Sequence, residues 1–280
     1  MTLKIFVLIK QVPSYQNLEI DKSKGTIIRE GVDNIINPDD LYALELGINL
    51  KERFNGFVTV MTMGPPQAEF ALRESLAMGA DNAILISDKR FANSDTLQTT
   101  LILKEAFRFI KEFDIIICGC QTSDSSTGQV PFQLSQALDI PLITDIFTMD
   151  IENKVIKCNR NFGHESQKIE VELPVLLRIL THFNNPRFNS LSGIREAFEK
   201  KIEIFDFNTF GCPEYIDGTN NSPTRVVKIE KVNLERKNRI IKGSLNAKIE
   251  KIIHIMKEHG INGKYQHNIK TKVVNYKRTR

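Results

Sequence analysis

Four short apolar runs, each followed by a stretch with helical spacing, constrain this chain more than any other feature. They are Ile5–Ile9, Phe57–Met61, Ala83–Ile86 and Ile115–Ile117. A strand that is apolar on both sides must be covered on both faces, the condition met in a parallel sheet flanked by helices. Between the runs, Ala68, Ala71, Leu72, Ser75 and Leu76 fall at helical spacing, and Gly79 is placed to end that helix. Ser94-Asp95 signals a helix start, and Leu103, Ala106, Phe107 and Ile110 then form one stripe. A further stripe runs through Val130, Leu134, Ala137 and Leu138. Repeated strand–helix–strand units predict right-handed crossovers and a doubly wound, mostly parallel α/β sheet.

The remaining segments decorate that core. Leu18–Asp21 and Thr26–Arg29, separated by Lys22-Ser23-Lys24-Gly25, predict a hairpin. In Asn37-Pro38-Asp39-Asp40 an asparagine at N-cap, a proline at the first helical position and two acids in the first turn announce a helix. Ile146–Ile151, Val155–Asn159 and Lys168–Leu173 predict an antiparallel meander on the edge of the parallel core, with Val175–Leu180 as a further strand. Pro213–Pro223 is rich in Gly, Asn and Pro and is expected to be a linker. Beyond it, Ile249, Ile252, Ile253 and Met256 give an amphipathic helix with little core of its own, expected to pack on something else. The expected division is an α/β domain over 1–210, a linker over 211–223, an arm over 224–260 and a basic tail over 261–280.

Charge is distributed unevenly. Residues 221–280 carry 16 Lys+Arg against 4 Asp+Glu, and the preceding part carries 22 against 30. A basic end on an acidic body suits nucleic acid, an acidic membrane surface or an acidic protein. The body offers no nucleic-acid module, so a protein partner is expected. No apolar run approaches the roughly 20 residues of a membrane helix. The chain enters its first strand almost at once, leaving no room for a targeting peptide, and Cys118, Cys120, Cys158 and Cys212 form no dense framework. The expected setting is a reducing cytoplasm.

The chemistry concentrates in Cys118–Pro131. Cys118-x-Cys120 lacks a second ligand pair at suitable spacing and the five histidines are scattered, so a metal is not expected. Ser123, Ser125 and Ser126 lie in no nucleophile elbow, and there is no Walker A or G-x-G-x-x-G motif. In an open parallel sheet, ligands sit beyond the carboxyl ends of the strands, here in the loops after Ile9, Met61, Ile86 and Ile117. The last of these would offer backbone N–H groups from Ser125 to Gln129 at a helix N-terminus, with hydroxyls from Thr122, Ser125, Ser126 and Thr127. Gly128 would let a phosphate approach. Capping by Ser and Thr alone explains the same composition. Asp124 suits a ribose or adenine acceptor equally with a helix cap, and capping also explains Asn37–Asp40 without a ligand.

Several stretches in order resemble the β subunit of electron transfer flavoproteins: Val7–Val12, Ile36–Asp40, Thr62–Gln67, Leu76–Asp81, Ser123-Asp124 with Thr127–Gln129, and Asn185–Phe188. The likeness covers roughly residues 1 to 200 and continues loosely through Thr224–Val226 and Ile241–Gly243. It implies a Rossmann-like fold of the adenine-nucleotide-binding type and a heterodimer with an α subunit that carries most of the FAD contacts. It also implies AMP or a second FAD in the β chain. Carried over, the nucleotide residues are Leu8, Asn37, Pro38, Asp39, Asp40, Met63, Gly64, Thr122, Ser123, Asp124, Ser125, Ser126, Thr127, Gly128, Gln129 and Val130. The resemblance assigns donor recognition to Arg187–Glu196, with Arg187 and Leu191 as partner-recognition residues and Leu191 as the exposed anchor. It assigns the arm to wrapping α. The implied role is carriage of electrons from an acyl-CoA dehydrogenase-type donor to a quinone reductase or other acceptor, with no catalytic residue in this chain. Some relatives bifurcate electrons through a second FAD. Asn-Pro-Asp-Asp and Met-Gly-Pro-Pro-Gln are similar to theirs, whereas Thr122–Ser126 departs from their alanine–isoleucine–aspartate–glycine–aspartate run. The competing classes are a stand-alone adenine-nucleotide sensor or ATP-cleaving protein, and a nucleic-acid protein recruited by the tail.

Overall fold

The four apolar runs become neighbouring strands of one sheet. The computed structural model describes residues 2–14, 33–163, 165–211, 213, 216–227 and 240–260, and the backbone of 19–21, 26–28 and 271–275. In chain order the first half comprises β1 (Lys4–Leu8), β2 (Gln11–Pro13), β3 (Glu19–Asp21), β4 (Thr26–Ile28), β5 (Asn34–Ile36), α1 (Pro38–Phe54), β6 (Phe57–Met63), α2 (Glu69–Met78), β7 (Asn82–Ile86), α3 (Thr96–Ile110) and β8 (Ile115–Gly119). The second half comprises α4 (Val130–Leu138), β9 (Leu142–Thr144), β10 (Ile146–Glu152), β11 (Val155–Phe162), β12 (Glu165–Glu172), β13 (Val175–Ile179), α5 (Leu191–Glu199), β14 (Glu203–Phe205), α6 (Gly218–Asn221), α7 (Leu245–Glu258) and β15 (Thr271–Asn275). The paired strands β3 and β4 match the expected hairpin. Its turn, Lys22–Gly25, Cys212 and much of the basic tail lie outside the described residues.

Seven strands form one parallel sheet in the order β14-β7-β6-β1-β8-β13-β9. Alternate residues of each central strand face opposite helix layers, which is why the runs are continuously apolar. Ile5, Val7, Val58, Val60, Ile115 and Ile117 pack with Ala43, Leu44 and Leu72 of α1 and α2. Phe6, Met61, Ile84 and Ile116 pack with Leu103, Phe107 and Leu134 of α3 and α4. Phe6 meets Phe107 edge-on at 5.4 Å, a favoured aromatic arrangement. Progress along the chain runs outward from β1 through β6 and β7, then returns to its other side at β8. The direction of winding reverses between β1 and β8, so their carboxyl ends open a crevice there.

The expected meander is present as its own sheet: β10, β11 and β12 run antiparallel and β15 joins β12 in parallel. Its inner residues Ile151, Ile156, Ile169 and Val171 join the core on one face, so alternation buried that side against existing apolar surface. One expectation needs correction. The stretch read as a linker is docked. Ile216 is fully buried and α6 lies against the turn before α3. By contrast α7 has no buried residue, and Leu245, Ile249, Ile252, Ile253 and Met256 are all exposed. No helix among the described residues is long and apolar enough to cross a membrane.

Candidate functional site at the sheet's switch point

The residues at the start of α1 build the floor of the crevice. Asn37 is the N-cap and Pro38 opens the helix, but the asparagine side chain makes no cap. It is 1% exposed and turns away. Its Nδ2 donates to the Gln121 carbonyl at 2.8 Å, and its Oδ1 accepts from Ser123 N–H at 3.0 Å. The capping explanation for Asn37 therefore fails: the side chain ties the loop after β8 to α1. Asp40 Oδ2 accepts from Lys10 N–H at 2.8 Å, and the carboxylate also receives the Gly119 N–H. One buried acid thus grips the carboxyl ends of both β1 and β8. A methyl group at Gly119 would lie 2.8 Å from the Asp39 carbonyl carbon and 2.9 Å from the Asp40 nitrogen, too close for any side chain.

Asp39 faces the other way. Its carboxylate accepts from Thr181 Oγ1 at 2.9 Å and from the Cys120 thiol at 2.8 Å. Burial pushes the Cys120 thiol up and the bond to Asp39 adds to this, so it stays protonated. Cys118 is raised further by burial and the Asp40 charge. Neither behaves as a reactive thiolate. Arg178 Nε donates to the Cys120 carbonyl at 3.1 Å and completes the floor. Among the described residues no group of three or more His, Cys, Asp or Glu could hold a metal ion.

The loop from Thr122 to Gln129 forms the upper lip. Thr122 and Ser125 share a hydroxyl hydrogen bond at 2.8 Å, and Ser126 N–H donates to the Thr122 carbonyl at 2.7 Å. Ser126 and Gly128 are left-handed, with φ of 51° and 58°. A side chain at Gly128 would crowd the Cys120 carbonyl at 3.0 Å. No side chain caps α4, whose N-cap is Gln129, so the hydroxyls are not explained as caps. The Gln129 side chain accepts from Thr96 Oγ1 at 2.9 Å, fixing the loop's end to α3. Asp124 is neither a free acceptor nor a cap, since its carboxylate pairs with Lys10 Nζ at 2.7 Å. Burial raises the Asp124 carboxyl, but the Lys10 bond and charge, with the Thr122 and Ser125 hydroxyls, leave it below its ordinary value. Leu8 and Met63 end β1 and β6 and pack against the core on the α3 and α4 side, and Gly64 follows β6.

Of the predicted nucleotide residues, Asn37, Asp39, Asp40 and the loop from Thr122 to Gln129 therefore meet in one crevice, while Leu8 and Met63 lie at the neighbouring strand ends and Gly64 just beyond. The crevice suits an anionic nucleotide: an uncapped helix N-terminus, two left-handed positions and a Ser123 Oγ that is buried without a hydrogen-bond partner. Sequence reasoning missed Lys10, Gly119, Arg178 and Thr181. Thr181 follows the carboxyl end of β13, and the rule that placed the other loops extends to it once that strand is included.

Arg187 and Leu191 lie elsewhere, in the segment before α5 and at its start. The Arg187 guanidinium binds Glu45, Asn49 and Glu52 of α1. Leu191 is 88% exposed and the preceding Phe188 is 98% exposed. The root of the arm is also fixed: Asp95 caps α3 and accepts from both N–H and Oγ1 of Thr224.

Sheet order and crevice define a protein of the doubly wound α/β class with a candidate ligand site at its switch point. Comparison with known proteins narrows this. The electron transfer flavoprotein domain matches residues 24–209. The chain is 41% identical over 252 residues to the electron transfer flavoprotein subunit beta of Thermoanaerobacterium thermosaccharolyticum, covering 90% of this chain and 96% of that one. It is 41% identical over 227 residues to the caffeyl-CoA reductase-Etf complex subunit CarD of Acetobacterium woodii, covering 81% and 87%. It is 40% identical over 230 residues to protein FixA of Azotobacter vinelandii, covering 80% and 82%. The chain belongs to the electron transfer flavoprotein family, among its β subunits, and its role is electron transfer.

Proposed function

We propose that the chain pairs with an α subunit to form a cytoplasmic electron carrier, and that its own crevice holds AMP. FAD, held with α, supplies the electron-accepting chemistry. This chain shapes the flavin's surroundings, binds the nucleotide and docks the donor, an acyl-CoA dehydrogenase-type enzyme, while a quinone reductase or other oxidoreductase receives the electrons. The observation that carries the reading is the crevice at the switch point, with α4 uncapped above a floor tied by Asn37 and Asp40. The division of labour follows from the pieces. The core domain, including the docked segment before residue 224, holds the nucleotide. The arm over 224–260 offers its apolar face to α, the tail beyond it lies outside these roles, and Leu191 is the donor anchor. Arg187 serves recognition indirectly, by fixing the segment that presents Leu191 to α1.

A second reading, a bifurcating complex with FAD in place of AMP, is favoured by the match to the caffeyl-CoA reductase complex subunit. Co-expression with the α chain, followed by counting released nucleotides, separates the two. One FAD and one AMP per heterodimer is expected. Two FAD and no AMP would establish the second reading, and a colourless, well-folded chain without nucleotide would overturn both.

A further inference from the structure

The crevice is rich in carboxylates and has few cations to meet a phosphate. Asp39, Asp40 and Asp124 all lie along it. Two cations are bonded to its walls, Arg178 and Lys10. Arg178 is committed to the floor: Nε binds the Cys120 carbonyl, Nη1 binds Asp145 at 3.3 Å, and the guanidinium lies 5.6 Å from the centre of the Phe132 ring. Lys10 is different. Its backbone is held on both sides, N–H by Asp40 and carbonyl by Asn37 N–H. Its side chain, 41% exposed, reaches across the crevice to the opposite lip. The contact with Asp124, at 2.7 and 2.9 Å, leaves donors of a three-donor ammonium unspent. A pair this accessible contributes little to stability, so it can be shared with a stronger anion.

We infer that the Lys10 ammonium is the phosphate-reading cation of this crevice, selecting nucleoside monophosphates over nucleosides, and that Asp124 is the positioning residue that holds it over the opening. The inference rests on the nucleotide reading given above. A terminal phosphate carries roughly −1.5 to −2 charge at neutral pH, more than the carboxylate it would share Lys10 with, and nearby Ser125–Gln129 present a helix N-terminus to the same anion.

The test compares AMP with adenosine by calorimetry on the full chain, for the wild type, Lys10→Met, Lys10→Arg and Asp124→Asn. Lys10→Met should weaken AMP at least tenfold and leave adenosine within twofold. Lys10→Arg, which keeps the charge, should stay within about threefold of wild type for AMP. Asp124→Asn should lower AMP affinity less than Lys10→Met does. An AMP-to-adenosine preference unchanged in Lys10→Met would overturn the assignment. So would equal losses for both ligands in Lys10→Met and Asp124→Asn, which would make the pair a loop latch. Wild type that binds neither ligand would overturn the nucleotide reading and this assignment with it. Unfolding midpoints of all four proteins exclude misfolding as the cause.

Discussion

Asp40 carries a carboxylate to a place water does not reach. Burial raises its pKa, while N–H groups from Lys10 and Gly119 and the Asn37 side chain pull it back, leaving it at about 7 against an ordinary 3.8. Between these values the folded chain keeps a proton that the unfolded chain has released. Stability attributable to Asp40 must therefore fall as pH rises through that window and level off above it. Relative to Asp40→Asn, the wild type should lose up to about 4 kcal/mol between pH 4 and pH 8, read from urea unfolding across that range. A pH-independent difference would refute the assignment. Residue types at this site were legible in the sequence because proline and acids have local reasons to begin a helix. Their use was not. Asn37 bonds a loop 84 positions away, and no local pattern records that.

Helix α5 shows the same division one level up. Its existence and start follow from local chemistry: Ser190 caps it by accepting from Gly193 N–H at 2.9 Å. Its orientation depends on Gly193, where a side chain would run into the Ala77 carbonyl of α2. That close approach buries Ala197 and leaves Leu191, Ile194 and Phe198 outward, the reverse of an ordinary surface helix. Leu191→Ala should slow reduction by the donor about tenfold, as expected for truncating an interface anchor, with flavin content and unfolding midpoint unchanged. Loss of flavin would make Leu191 structural. Gly193→Val should cost about 1–3 kcal/mol through overpacking and slow donor reduction as well, and unaltered stability would show that α5 does not need this approach. The segment after residue 210 was misread because Gly, Asn and Pro mark turns whether or not the turns dock. Burial of Ile216 depends on where α3 lies, which sequence spacing does not reveal.

At the scale of the molecule, the parallel core was the most legible part, because strands buried on both faces leave continuous apolar runs. Alternation predicted the meander's strands but not the surface they would cover. The helix of the arm was legible for the opposite reason: its apolar residues fall at helical spacing, and α7 leaves that stripe exposed. Truncation after Thr224 keeps the Asp95 contacts and the docked segment. The shortened chain loses β15 from the β10-β11-β12-β15 sheet as well as α7, so it should keep a cooperative transition at a lower midpoint and fail to co-purify with α. Retention of α by the truncated chain would show that the arm is dispensable.

Gly119 limits where this crevice can be altered. Its backbone lies against the first turn of α1 with no room for even a methyl group, and Asp40 closes the remaining space. Position 119 is therefore closed to any side chain, whereas the lip from Thr122 to Ser126 is held by hydrogen bonds, by the Lys10 pair and, at Ser126, by a left-handed backbone. Substitutions meant to change what the crevice accepts therefore belong in the lip, since any side chain at position 119 would collide with α1.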